Sequence, residues 1–242
     1  MKLNFLTPDT IKMKIWEAVR VGANQILFQG DSFLLGKKGK RRLDMLADGW
    51  RSPVPIMAQC DCRDIDYDVA LKLKQIGVTK VSLGVESFSD EILQDFGKKG
   101  LTVDKIEEVL DILLSVGIEV FANIILTSPS CEVEHVKETL KKIKEWMGRG
   151  VEFGINLYVK LFPGSEYYFR VFCLKENIGY PTVKTVKIPL TDYLLIKADK
   201  LLPENPRLRQ MIRKVEGGLR DVVLPSEKLS ERIVELALEY LR

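Results

Sequence analysis

The chain has 242 residues, of which 46% are apolar, 29% charged and 8% aromatic, and those proportions exclude a fibrous or disordered protein. Its 37 basic and 34 acidic side chains leave a net charge of only +3, too slight to argue for nucleic acid or an acidic membrane as a partner. No apolar run approaches the ~18 residues of a membrane span, the N-terminus has no basic-then-apolar export pattern, and four cysteines make no disulfide framework, so a reduced, cytoplasmic protein is expected.

Thr7-Pro8-Asp9 is a helix-start signal, and Ile11, Ile15, Ala18 and Gly22 share one face of the helix that follows. Residues 25–28 form a short apolar run stopped by Gly30 and are read as a strand. Val54 to Ala58 is the next strand. Asp66 then caps a helix with Val69, Leu73 and Ile76 inward, closed by Gly77. Val78 to Gly84 is a strand, and after a polar loop Thr102 caps a helix with Val103, Ile106, Leu110 and Leu113 at 3–4 spacing. Ile118 to Leu126 is nearly continuously apolar, as for a strand covered on both faces. Val133, Val136, Leu140, Ile143 and Met147 mark another helix, and Phe153 to Val159 a fifth strand. Past Pro163-Gly164, residues 164–176 read as helical, 177–190 as loop or edge strand, and Leu229, Ile233, Leu236 and Tyr240 as one face of a closing helix.

Strands joined by helices of ten or more residues pair in parallel, and ligands of such sheets bind beyond the carboxyl ends of the strands. Those ends carry Gln29-Gly30-Asp31-Ser32, Gln59-Cys60-Asp61-Cys62-Arg63, Gly84-Val85-Glu86-Ser87, Thr127-Ser128-Pro129-Ser130 and Lys160-Leu161-Phe162-Pro163-Gly164-Ser165. A rim of amides, carboxylates and lysine suits a ligand with amino, carboxylate and ribose groups, although strand-to-helix loops need polar capping residues anyway. Asn123 stands apart: an amide within an apolar strand requires a specific partner.

The block from Val78 through Gly84-Val85-Glu86-Ser87 to Gly97-Lys98-Lys99-Gly100-Leu101-Thr102 resembles the fourth strand and following loop of radical S-adenosylmethionine (SAM) enzymes, most of all the cobalamin-associated branch with its GVESGS…NKGIT pattern. Asn24 to Leu35 resembles the second strand with its acidic loop, and Phe153 to Tyr168, with Pro163-Gly164-Ser165, the sixth strand and its turn. The likeness covers about residues 8 to 170. It implies an α/β fold: a partial (β/α)6 TIM-like barrel of about five parallel strands in residues 1–165, with a helical C-terminal extension, residues 166–242, packed on it. It also implies SAM as cofactor. Glu86 would approach the ribose and amino-acid moiety, Lys99 the carboxylate, Asn123 the ribose, and Gly30 and Asp31 the methionine amino group, with Ser87 a further cofactor-binding candidate.

Relatives hold a [4Fe-4S] cluster on a CxxxCxxC loop and use its electron to cleave SAM to a 5′-deoxyadenosyl radical. This sequence has no such motif. Cys60 and Cys62 form CxC, while Cys131 and Cys173 lie elsewhere. Small core residues are the plain reading of Cys60 and Cys62, with a site of Cys60, Cys62 and Cys131 at one rim the alternative. Thr7 to Ile11 resembles the helix start that follows the cluster loop, so the expectation is a truncated or split core, inactive in SAM cleavage alone and completed by a partner chain or N-terminal segment. The loop from Thr127 to Glu132 also replaces the usual GLPGET. No catalytic residue and no metal ligand is assigned. The substrate is not legible. A non-catalytic subunit binding SAM or a partner without a cluster, and an unrelated barrel lyase or aldolase using Lys160 or Glu86, are the competing readings. The basic run Lys37 to Arg42 reads as a solvated helix start, His135 as a surface residue, and Trp16, Trp50 and Trp146 as packing between helices and sheet.

Overall fold

The computed structural model describes residues 6–28, 32–161, 199–219 and 225–242. Helix α1 (Pro8–Arg20) opens on Thr7, whose hydroxyl accepts from the Thr10 amide, and buries Ile11 and Ile15. Then follow β1 (Ile26–Phe28), α2 (Gly36–Ala47), β2 (Ile56–Cys60), a short 3-10 turn (Cys62–Asp64), α3 (Tyr67–Gln75) and β3 (Val78–Glu86). A short helix, α4 (Asp90–Asp95), precedes α5 (Val103–Ser115), β4 (Glu119–Ile125), α6 (Val133–Met147) and β5 (Glu152–Asn156). As the sequence requires, Asp66 and Thr102 cap α3 and α5 by accepting from the amides of Val69 and Lys105.

Strands β1 to β5 form one parallel sheet in the order β1-β2-β3-β4-β5. The sheet is open, with β1 and β5 at its edges, so the partial α/β barrel is the observed architecture. Alternation along each strand separates two faces. Ile56, Ala58, Cys60, Val81, Leu83, Val85, Val120, Ala122 and Ile124 point into the layer of helices and are buried. Met57, Gln59, Ser82, Gly84, Phe121, Asn123 and Ile125 point the other way and are only half-buried. Residues 118–126, expected to be covered on both faces, are therefore fully covered on one face alone, because an open sheet leaves its inner side partly bare.

The expected fifth strand breaks in two. Leu126 and Thr127 bind the carbonyls of Asn156 and Leu157, which ends β5, and β6 (Val159–Leu161) pairs antiparallel with β7 (Asp199–Leu201) in a separate sheet. Two helices close the chain, α7 (Pro206–Gly218) and α8 (Ser226–Leu241). Helix α7 had a legible signal that the sequence reading did not use: Asn205-Pro206 caps it, and Leu208, Met211, Ile212 and Val215 are its buried face. The Ser230 hydroxyl donates to the Phe153 carbonyl and ties α8 to β5. The short α4 falls in what reads as polar loop.

Trp146 packs in the core and Trp50 against it, but Trp16 is 51% exposed and packs no helix onto the sheet. His135 is not a free surface residue either: its Nδ1 accepts from the Glu132 amide and its Nε2 lies 3.2 Å from Glu91 Oε2. The expected helix over 164–176, the segment 177–190, the turn Pro163-Gly164-Ser165 and Cys173 lie outside the described residues. Among the described residues no helix is long and apolar enough to cross a membrane.

Candidate functional site

Strand β3 ends irregularly, and that irregularity makes the rim. The register with β4 shifts between Gly84 and Glu86, and Glu86 takes φ 65°, the sole non-glycine residue with positive φ among those described. A side chain in that conformation carries strain of roughly 1–2 kcal/mol, so the surroundings must hold it there. They do so through Lys98, whose Nζ lies 3.1 Å from Glu86 Oε1 and 3.4 Å from the Gly84 carbonyl. Both side chains are mostly shielded, at 23% and 19% exposure. Gly84 is the clearance: a Cβ there would stand 2.9 Å from Glu86 Oε1 and 3.2 Å from Lys98 Nζ.

One strand across, Asn123 pairs in register with Gly84 on one side and Gly154 on the other. Its Nδ2 donates to Ser82 Oγ at 3.0 Å and to the Leu83 carbonyl at 3.2 Å. Those donations fix the amide plane, and Oδ1 accepts no hydrogen bond from the described residues. A Cβ at Gly154 would come within 3.3 Å of Oδ1 and 2.7 Å of the Phe121 ring. Two glycines thus keep space beside an oriented acceptor.

Strand β2 contributes a clamp. Asp61 accepts from Arg63 at its amide (2.9 Å), Nε (2.8 Å) and terminal nitrogen (2.6 Å), and the guanidinium also donates to the Lys99 carbonyl at 3.1 Å. The loop bearing Lys98 and Lys99 is thereby tied to the end of β2. Burial raises the Asp61 pKa, but the hydrogen bonds from Arg63 and the charges of Arg63 and Lys98 outweigh it and hold the carboxyl below its usual range.

The cysteines do not build a cluster site. Cys60, Cys62 and Cys131 are buried and free. Burial pushes all three thiols up, Cys62 to about 12, and neighbouring carboxylates such as Asp61 add to the effect. Among the described residues no group of three His, Cys, Asp or Glu is placed to hold a metal ion, so these residues do not fit an iron–sulfur cluster and the shared-rim alternative for Cys60, Cys62 and Cys131 is corrected. The SAM side of the expectation fits better: an oriented amide, a carboxylate and cation, and glycine-cleared space share the carboxyl end of β3 and β4.

Of the expected site residues, Glu86 and Asn123 come together on this rim. Lys99 is exposed beside it, while Lys98 makes the contact with Glu86. Ser87 turns away: it is buried, with Oγ 3.3 Å from Thr139 Oγ1 on α6 and accepting from the Ser89 amide. Gly30 and Asp31 lie outside the described residues. Arg63 stood among the polar residues of the strand ends without a role, and Gly154 was not singled out. The Asp-x-Arg spacing at the end of β2 was a signal for the first, whereas only the fold shows that Gly154 faces Asn123.

The model of the Radical SAM superfamily matches residues 1–146, more than half of the chain. The chain belongs to the radical SAM superfamily. Solved structures agree in fold. TsrM from Kitasatospora setae, a radical SAM methyltransferase with cobalamin and a [4Fe-4S] cluster bound, superposes with a TM-score of 0.63 at 15% identity, over 96% of this chain and 55% of that one. OxsB, a cobalamin-dependent SAM radical enzyme with aqua-cobalamin and SAM bound, gives 0.60 at 13% identity, over 97% and 41%. The Methanocaldococcus infernus Elp3 gives 0.51 at 16% identity, over 88% and 60%. The chain therefore spans about half the length of these neighbours. Curated proteins give no match. Radical SAM proteins use SAM and a [4Fe-4S] cluster, and superfamily membership sets aside the unrelated lyase or aldolase; Lys160 is moreover exposed on β6, unlike a lysine in a dry pocket.

Proposed function

We propose that this chain binds SAM across the carboxyl ends of β3 and β4 and supplies the SAM-binding part of a radical SAM enzyme, with the cluster held by residues other than the cysteines described. The observation that carries this reading is the pairing of a strained, lysine-held carboxylate at Glu86 with an oriented amide oxygen at Asn123, one strand away, that accepts from none of the described residues. SAM offers complementary groups: ribose hydroxyls that donate, an amino group and a carboxylate, and it supplies a sulfonium whose carbon–sulfur bonds are the ones broken in this superfamily. Asn123 Oδ1 accepts from a ribose hydroxyl. Glu86 accepts from the ribose or the amino group, and Lys98 keeps that carboxylate aimed. Lys99 reaches the ligand's carboxylate from the loop that Arg63 anchors, and the superfamily resemblance assigns the amino group to Gly30 and Asp31. Ser87 serves the turn after β3 and touches no ligand. Residues 1–165 form the barrel portion and 166–242 the extension, and the protein works in the cytoplasm, in keeping with free thiols at Cys60, Cys62 and Cys131.

Amide hydrogen exchange with and without SAM tests the location. Slower exchange in residues 82–86 and 123–126 with SAM is expected, and protection confined to other strands overturns the reading. A subunit role without a cluster stays the second reading, since the described cysteines are buried thiols. A partner chain that adds a cluster would join it to the first.

A further inference from the structure

Two sequence features have no task in the SAM site: Trp16 and the basic run Lys37 to Arg42. The structure brings them to one surface. Helix α1 buries Ile11 and Ile15 and turns Met13, Trp16 and Arg20, at every third or fourth position, away from them. Met13 is 53% exposed and Trp16 51%. On α2, Gly39, Leu43 and Leu46 are buried, while Lys38, Arg41 and Met45 repeat that spacing on the outer side, with Met45 54% exposed. The two helices are neighbours: Lys12 Nζ lies 5.9 Å from the centre of the Trp50 ring, just past the end of α2. Trp16 stands one turn beyond Lys12 on that side of α1. The outer surface is therefore apolar around Met13, Trp16 and Met45, with cations beside it. Lys37, Lys38 and Arg41 are exposed and make no ion pair among the described residues, whereas Lys40 is held by Asp66 and Asp44 by Lys72. Exposed Glu17 and Asp48 are outnumbered. Helix α2 has no acidic residue in its first turn and no side-chain cap, so Lys37 and Lys38 sit at the positive end of the helix dipole, where they are destabilising. Carboxylates from outside the chain would relieve that repulsion.

We propose that this face of α1 and α2 docks an acidic amphipathic helix of a partner protein, its apolar stripe on Met13, Trp16 and Met45 and its carboxylates at Lys37, Lys38 and Arg41. Tryptophan and methionine beside arginine have the composition of the energetic centre of a protein interface. Methionine adapts to aliphatic side chains but offers no flat face to a base, so Met13 and Met45 favour a helix over a nucleic-acid strand. The apolar centre of Met13, Trp16 and Met45 buries too little to hold the chain on a bilayer, where even a whole myristoyl chain is marginal. A second copy presents the same positive charge and is repelled. The face shares no residue with the SAM site proposed above.

Fluorescence anisotropy of labelled helical peptides of about 18 residues against the full chain tests it. One peptide carries leucine at every third or fourth position, glutamate on the flanks and alanine or glutamine elsewhere. A second has lysine in place of glutamate, and a third has the first peptide's composition without the helical spacing. The leucine–glutamate helix should bind saturably, and the other two at least about tenfold more weakly. Trp16→Ala, and the triple reversal Lys37→Glu, Lys38→Glu and Arg41→Glu, should each weaken it at least about tenfold, and the reversed chain should prefer the lysine peptide. All four positions are exposed, so these variants should keep the parent's circular dichroism and melting temperature. Where Trp16→Ala fails to fold, Met45→Glu on the neighbouring helix should show the same loss. No binding of the leucine–glutamate helix, equal binding of the peptide without helical spacing, or an affinity indifferent to Trp16 overturns the proposal. Tighter, Trp16-dependent binding of poly-uridine or of phosphatidylserine vesicles assigns the face to nucleic acid or to a membrane and also overturns it. So does sedimentation as a dimer that Trp16→Ala dissociates.

Discussion

Lys98 Nζ lies 3.1 Å from Glu86 Oε1, and the backbone that presents that carboxylate has φ 65°. The two facts belong together. A glutamate in the left-handed region is disfavoured, and the ion pair over Gly84 is the compensation visible in the structure. Glu86→Gly removes the strain and the charge, whereas Glu86→Ala removes the charge and keeps the strain. In urea denaturation Glu86→Gly should therefore be about 1 kcal/mol more stable than Glu86→Ala. Equal stabilities would mean that residue 86 carries no backbone strain.

Gly84→Ala tests the clearance. Its methyl would stand 2.9 Å from Glu86 Oε1, so the carboxylate and Lys98 must separate. The helix and strand content should be unchanged by circular dichroism, while SAM affinity should fall roughly tenfold, the worth of one charged hydrogen bond. Affinity equal to that of the parent would remove the ion pair from the site.

How much of this was legible in sequence divides along a physical line. Local signals carried well: Thr7, Asp66 and Thr102 are caps, and the amide at Asn123 does find partners on the neighbouring strand. What sequence could not supply was direction. Lys98 and Lys99 are adjacent and chemically alike, and only the turn through Gly97 and Gly100, both with positive φ, decides which one meets Glu86. Ser87, next to Glu86, points to the opposite side of the sheet, since successive strand residues alternate. Gly154 gained its meaning from register with Asn123, a pairing across 31 positions that no local pattern encodes.

Acid should loosen the clamp at the end of β2. Asp61 has its pKa held below the ordinary value near 4 in the folded chain, so its contribution is complete above that value and is lost as pH falls through the lower folded value. Asp61→Asn should cost about 1 kcal/mol at neutral pH, discounted for the partly exposed Arg63, and should flatten the fall in stability below pH ~4. Denaturation midpoints measured across that range check it. A variant whose stability falls as steeply as that of the parent would contradict it.

The buried thiols give a chemical readout. Burial raises Cys60, Cys62 and Cys131, so little thiolate forms at mildly alkaline pH. Iodoacetamide labelling followed by peptide mass spectrometry should modify these three only after unfolding. Rapid labelling of Cys60 or Cys62 in the native chain would mean that the end of β2 is open, and would return those residues as cluster-ligand candidates.

SAM binding at the rim of β3 and β4 is the property on which the roles of Glu86 and Asn123 rest. Calorimetric titration of SAM into the full chain, its Glu86→Gln and Asn123→Ala variants and a distant control, Arg149→Ala, asks the question directly. Saturable one-to-one binding is predicted, weakened roughly tenfold or more by each rim substitution and unchanged in the control. No binding, or binding that ignores Glu86 and Asn123 alike, would contradict it.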